Sequence, residues 1–365
     1  MLRHLYLHIP FCHRICPYCS FYKHQHGSTD LAAFVEAMLV EARQKADSLQ
    51  PDTVYFGGGT PTALSETHLS RLLAGLNETL DLSQVTEFTM EANPRTVTES
   101  KAAMMRAMGI NRISLGIQAW DEATLRTLGR DHAADEAEET YRILRAAGFP
   151  SVNVDLMFSI PGQSAETWRG TLERTLALQP DHISAYNLNY EEDTEFFQRL
   201  RRGQYLESED RDAEFFYLAL DLLEAAGYEH YEISNYARPG KRSRHNESYW
   251  LGEDYAGLGP SAYSTVGGRR WQNVADTTRY IELLTMGQSA AVPGEDLTPD
   301  QRRTERFGLE LRTARGLPLP LIQPASQSML ETLRREGLLL VENGQVRLTR
   351  AGKPLVDSVA VALMG

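Results

Sequence analysis

Residues 5–21 read LYLHIPFCHRICPYCSF and hold every cysteine of the chain, at positions 12, 16 and 19. Buried structural cysteines behave as small hydrophobes and scatter through a core. Three of them inside eight residues point instead to metal ligation. A structural zinc site takes four protein ligands and a catalytic one three, and His8, His13, His24 and His26 are near enough in sequence to complete a Cys3His set. An iron–sulfur cubane normally takes four thiolates. Cys12, Cys16 and Cys19 would leave one iron without a protein ligand and free to hold a small molecule. On the cysteines alone both readings stay open.

Working outward, residues 3–9 (RHLYLHI) are β-rich and stop at Pro10, so the cysteine loop begins at the carboxyl end of a strand. Leu31, Phe34, Val35, Met38, Leu39 and Ala42 recur at helical spacing behind a cap chosen from Ser28, Thr29 or Asp30. The cycle then repeats. Strands are predicted at 53–58, 86–92, 112–118, 152–158 and 182–189, and helices at 66–80, 97–108, 121–128, 134–147, 166–178 and 210–226. Six strand-then-helix units imply a parallel sheet with crossover helices. Polar groups close nearly every strand: the cysteine loop, the glycines at 57–59, then Glu91, Gln118, Asp155 and Asn189. Contributions from so many strand ends suit a barrel mouth better than the single crevice of an open sheet. The expected fold is α/β, a partial (β/α)6 barrel over residues 1–235. A smaller α+β domain follows at 236–365, its tail resembling a winged helix around an Asn343-Gly344 hairpin. The one linker-like stretch is 286–294.

The chain has 365 residues, 42% hydrophobic and 24% charged, with a formal net charge of −12. That acidic balance argues against a general nucleic-acid surface. No run of 18 apolar residues marks a membrane span and no signal peptide is visible. Clustered cysteines without others to pair with suit a reducing compartment, so a cytoplasmic protein is expected. Peripheral membrane association and a homodimer stay open.

The Cys-x3-Cys-x2-Cys loop, GGGTPT, EANPR, LGIQAW, NVDLMFSIPGQ and HISAYNLN together resemble the ordered motifs of the oxygen-independent coproporphyrinogen III oxidase superfamily of radical S-adenosylmethionine (SAM) proteins. The resemblance spans nearly the whole chain and is least specific beyond about residue 300. It implies a radical SAM barrel in which Cys12, Cys16 and Cys19 hold a [4Fe-4S] cluster. It also implies SAM contacts from Tyr6, Tyr18, Gly58, Gly59, Thr60, Glu91, Gln118, Arg130, Asp155 and Asn189.

Two departures set the chain apart from the oxidases, which continue Cys-x-Cys after the third cysteine and carry a long arm before the first. Here Phe21 stands two residues past Cys19, and eleven residues precede Cys12. Both resemble the heme-chaperone branch of the superfamily, which also carries an H-N-x-x-Y-W motif, here His245, Asn246, Tyr249 and Trp250. The resemblance implies a protein that binds heme and passes it to acceptor proteins, without oxidase activity. His245 offers an imidazole to iron, and Tyr249 and Trp250 offer flat surface to a porphyrin. Arg242 and Arg244 could pair with propionates. No catalytic residue is assigned. An active radical enzyme acting on a tetrapyrrole is the competing reading, and a structural zinc protein the third.

Overall fold

The computed structural model describes residues 1–364. Its first part is six strand–helix units: β1 (Leu2–Ile9) and α1 (Leu31–Lys45), β2 (Leu49–Gly58) and α2 (Glu66–Thr79), β3 (Glu87–Ala92) and α3 (Glu99–Ala107). There follow β4 (Arg112–Gln118) with α4 (Glu122–Thr127) and α5 (Ala134–Ala146), β5 (Ser151–Phe158) with α6 (Ala165–Ala177), and β6 (His182–Asn187) with α7 (Glu195–Arg201) and α8 (Glu209–Ala225). Each of these strands pairs in parallel with the next, an open arc that is the partial (β/α)6 barrel.

Strand alternation explains how the arc is filled. Leu5, Leu7 and Ile9 of β1 and Val54 and Phe56 of β2 are buried in the same core as Phe34, Val35 and Met38 of α1. The intervening positions form a polar layer instead. Tyr55 donates to Glu91 at 2.8 Å, Ser114 to Asp155 at 2.8 Å, and Asn153 to Ser184 at 2.9 Å. The helices start where local chemistry starts them: Asp30, Ser65, Thr98, Asp121, Ser164, Thr194 and Ser208 each cap a helix with a side-chain oxygen.

Three short strands that periodicity does not reveal extend the sheet to nine. β7 (Glu229–Glu232) and β8 (Asn235–Ala237) add antiparallel beside β6, and after α9 (Arg244–Trp250), β9 (Ala256–Leu258) pairs in parallel with β1. β10 (Tyr263–Val266), β11 (Arg269–Gln272) and β12 (Glu295–Asp296) form a small antiparallel sheet, with α10 (Thr277–Thr285) between β11 and β12 in the chain. The stretch 286–294 is not a free linker. The amide of Val274 donates to Ala290 and that of Val292 to Gln272, each at 2.9 Å.

The tail comprises α11 (Pro299–Glu310), β13 (Leu317–Pro318), α12 (Gln327–Arg335), β14 (Leu339–Glu342), β15 (Gln345–Leu348) and α13 (Val356–Met364). It has its own core, including Phe307, Leu330, Leu333, Val346 and Val359. Asn343 and Gly344 turn β14 into β15 with φ of 51° and 74°, the two positive values that a tight I′ turn requires.

Glu41 of α1 fastens the β9 edge to the barrel. Buried to 2% exposure, it accepts from Lys45 Nζ (2.7 Å), Asn273 Nδ2 (2.8 Å), the Gly259 amide (2.9 Å) and the Tyr280 hydroxyl (2.6 Å). Glu41→Ala would take this acceptor from the Gly259 amide and the Tyr280 hydroxyl, while Lys45 and Asn273 keep the Gly257 and Gly259 carbonyls. It is expected to cost roughly 3 kcal/mol in a denaturant titration, with Glu41→Gln costing less.

Candidate active site

The cysteine loop follows β1 and is built by backbone hydrogen bonds. His24 donates its amide to Pro10 at 2.8 Å, Cys12 to His24 at 3.0 Å, and Cys19 to Cys16 at 3.2 Å. The turn after β2 clasps it, with Gly59 N–H on the Ile9 carbonyl at 2.8 Å and Thr60 N–H on Phe11 at 2.7 Å. A Cβ at Gly59 would lie 2.7–2.9 Å from atoms of Pro10, Phe11 and Ile9, so only glycine allows this approach. Gly58 adopts φ +105°, and a Cβ there would strike the His8 ring at 2.5 Å.

A cleft of about 380 Å³ opens at this end of the barrel. Its lining brings together Cys12, Cys16, Cys19, Tyr18, Gly58, Gly59, Thr60, Glu91, Gln118, Arg130 and Asp155, eleven of the residues singled out from sequence. Two others stand apart. Tyr6 lies a layer deeper, stacked on Tyr55 with ring centroids 6.2 Å apart and its hydroxyl 3.0 Å from His8 Nδ1. Asn189 is exposed beyond the end of β6, which stops at Asn187 rather than 189, and it does not line the cleft.

The three thiols are free, and among the described residues no three His, Cys, Asp or Glu side chains converge on a single-ion site. All three cysteines line the one cleft, where three thiolates could hold three irons of a cluster. Burial pushes the Cys12 thiol up to about 11, and the neighbouring thiols push the same way. A bound cation would be needed to favour thiolate over thiol here. Arg130 backs the loop, with Nη2 on the Gly116 carbonyl at 2.7 Å and Nη1 3.6 Å from Cys16 Sγ. Its buried Nε has no partner among the described residues.

Two carboxylates share the cleft with the cysteine loop. Burial raises Glu91 to about 7 against the pull of the Tyr55 hydroxyl bond, and Asp155 pushes it further up. Asp155 is also raised by burial, although Ser114 and Asn153 hold its two oxygens at 2.8 and 2.7 Å. Both are acceptors poised for donors of a bound ligand. Gln118, at a register shift in β4, carries φ +70°, a strained value for a non-glycine residue.

Sequence reasoning passed over Tyr55, Ser114, Met157 and Tyr186, which also line the cleft. Strand parity was the available signal, since each lies two residues, or a multiple of two, from a polar inward position on its own strand.

The 245–250 motif lies elsewhere. His245 is fully buried, with Nδ1 2.7 Å from Thr53 Oγ1 and Nε2 2.8 Å from the Tyr249 hydroxyl. Its ring stacks on Tyr55 at 5.1 Å. Burial lowers its pKa to about 3, which keeps it neutral. With both nitrogens engaged, the ring is not open to iron as the sequence suggested. Tyr249 lines a separate cleft, while Asn246 and Trp250 are half-buried and line neither. Arg242 pairs with Glu229 and Glu247, and Arg244 donates to Thr86, so these arginines are already occupied.

The family profile of the Radical SAM superfamily matches residues 6–175. The heme chaperone HemW of Lactococcus lactis is 38% identical over 363 residues, spanning 97% of this chain and 95% of that protein. HemW of Bacillus subtilis is 32% identical with both chains fully covered. HemW of Escherichia coli is 38% identical over 266 residues, 72% of this chain and 70% of its own. Among solved structures, the coproporphyrinogen III oxidase HemN of Escherichia coli, a radical SAM enzyme, superposes with a TM-score of 0.85 at 24% identity over 99% of this chain and 90% of that one. That likeness establishes a shared fold.

The Glu91 carboxyl gives a signed pH dependence. Its ordinary value is 4.5 and its folded value about 7, so between these the unfolded chain loses its proton first and stability falls as pH rises. Glu91→Gln is expected to stabilise the ligand-free protein by an amount that grows from about pH 4.5 to 7 and then levels off. Urea midpoints across that range measure it, and a gain independent of pH would show that Glu91 titrates normally.

Proposed function

The chain belongs to the heme chaperone HemW family of radical SAM proteins, and from that membership we propose that it binds heme and transfers it to acceptor proteins, holding a [4Fe-4S] cluster and SAM in the cysteine cleft. Near-full-length similarity to HemW relatives carries the reading. A cytoplasmic location belongs to it, supported by three free thiols. Among the described residues no helix is long and apolar enough to cross a membrane.

In this reading Cys12, Cys16 and Cys19 each ligate one iron of the cluster. When bound, the cluster supplies an iron with an open position and a source of single electrons. The chain's own residues bind and orient SAM around it. The backbone at Gly58 and Gly59, packed against His8 and the cysteine loop, forms one wall of the ligand site. Glu91 accepts from a cationic amine, Asp155 accepts from hydroxyls, and Arg130, tied to Gly116, offers a guanidinium to a carboxylate. Phe21, 67% exposed, occupies the cleft lip where the oxidases carry a further cysteine.

Heme is assigned to the 245–250 motif. His245 is neutral, the form that ligates iron, and the Tyr249 hydroxyl must leave its Nε2 for iron to reach it.

Three measurements test this reading. Replacing Cys12, Cys16 and Cys19 by alanine is expected to abolish iron and labile sulfide in anaerobically purified protein; retained iron would sink the cluster assignment. His245→Ala should weaken heme binding at least about tenfold and shift the heme absorption spectrum. The reconstituted protein, given reductant, SAM and coproporphyrinogen III, is expected to form no protoporphyrinogen at catalytic turnover. Turnover would reclassify it as an oxidase.

A further inference from the structure

A second cleft, of about 460 Å³, opens between the end of α9, the β10–β11 hairpin and α11. Its walls include Tyr249, Tyr255, Leu297 and Leu309. The two tyrosine rings meet edge to face with centroids 4.7 Å apart, a corner suited to a flat apolar ring system.

The polar groups of this cleft are unevenly used. Arg270 is held by Glu305 through two bonds of 2.6 and 3.0 Å, and Arg306 by Glu310 at 2.6 Å. The acidic residues beside them are committed as well. Glu253 lies 2.7 Å from His4 Nε2, and Asp254 accepts from the Gly267 amide at 2.8 Å. Arg302 is exposed and forms no ion pair among the described residues. Its guanidinium lies over Gly268, where a Cβ would come within 2.9 Å of Nη1. The hairpin glycine, at φ +85°, thus leaves room for a planar cation at the mouth of an aromatic-walled cavity.

The deep wall matters most. Tyr249 lines the cleft, and its hydroxyl sits 2.8 Å from Nε2 of the buried, neutral His245. The Tyr249 side chain stands between the cavity and that imidazole nitrogen. Apolar walls, an unpaired guanidinium at the mouth and a masked nitrogen donor at the back match a metallated, planar ligand with peripheral carboxylates.

We propose that this cleft is the tetrapyrrole seat, with Arg302 of α11 pairing a propionate and Tyr255 packing against the macrocycle. The proposal rests on the heme reading above and adds to it a location and an anchor outside the 245–250 motif. It also makes helix α11, at the start of the C-terminal tail, part of the binding site.

The test titrates hemin and hemin dimethyl ester into the full-length, cluster-reconstituted protein and into its Arg302→Glu and Tyr255→Ala variants. Arg302→Glu should weaken hemin about tenfold or more, the effect of losing one charge-assisted pair and gaining a repulsive one. The ester, lacking carboxylates, should bind wild type and Arg302→Glu alike. Tyr255→Ala should weaken both ligands. If the wild type binds hemin and neither variant changes its affinity, the cleft is the wrong place although the heme reading stands. If the wild type binds no hemin, the heme reading and the cleft fall together.

Discussion

Two backbone hydrogen bonds set the geometry of the cysteine end of the protein. The amides of Gly59 and Thr60 donate to the carbonyls of Ile9 and Phe11, and so lay the turn after β2 against the loop after β1. Parallel pairing brings the two strands side by side through Ile9 and Gly58, and the clasp carries the contact past the end of the sheet. The approach is too close for a side chain, which is why glycine stands at 59. Everything the cysteines could hold is thereby delivered to a surface of bare backbone, with Glu91 on the next strand over. On the other side of the loop the α4–α5 turn closes in. A Cβ at Gly129 would meet Pro17 at 2.6 Å, and Arg130 reaches back to Cys16.

The polar interior of the barrel connects its two clefts. Glu91 in the cysteine cleft accepts from Tyr55, the ring of Tyr55 stacks on His245, and His245 meets the hydroxyl of Tyr249 in the second cleft. An ion or ligand that altered Glu91 would act on the same tyrosine that supports the histidine. Such a buried chain is costly unless every member is satisfied. Thr53 completes it by bonding to both His4 and His245.

Much of this was legible from local signals. Capping residues marked where helices begin: Asp30, one of three candidates, proved to be the α1 cap. The polar groups that close the strands identified most of the cleft, because in a parallel barrel all strand ends share one rim. What escaped was of two kinds. Tyr55, Ser114 and Tyr186 sit within strands and look like ordinary strand residues until the inward face is known. β7, β8 and β9 are three or four residues long and owe their existence to the open edges of the sheet, not to their own pattern. Asn189 reads as a strand-end group, yet β6 ends two residues earlier and leaves it outside the cleft.

Sequence by itself determined the chemistry on offer, namely three thiols at fixed spacing, glycines where backbone must be bare, and carboxylates in otherwise apolar strands. These are short-range facts, carried by residue type and by the two- and four-residue periods of strand and helix. Only the tertiary structure decided which side of the barrel wall each group faces and what already holds it. His245 shows the difference. Next to Tyr249 and Trp250 in the chain it reads as an open ligand, whereas in the fold it is buried between Thr53 and Tyr249. Thr53 lies 192 residues away in the chain, and a hydrogen bond across that separation exists only after the sheet has closed around it.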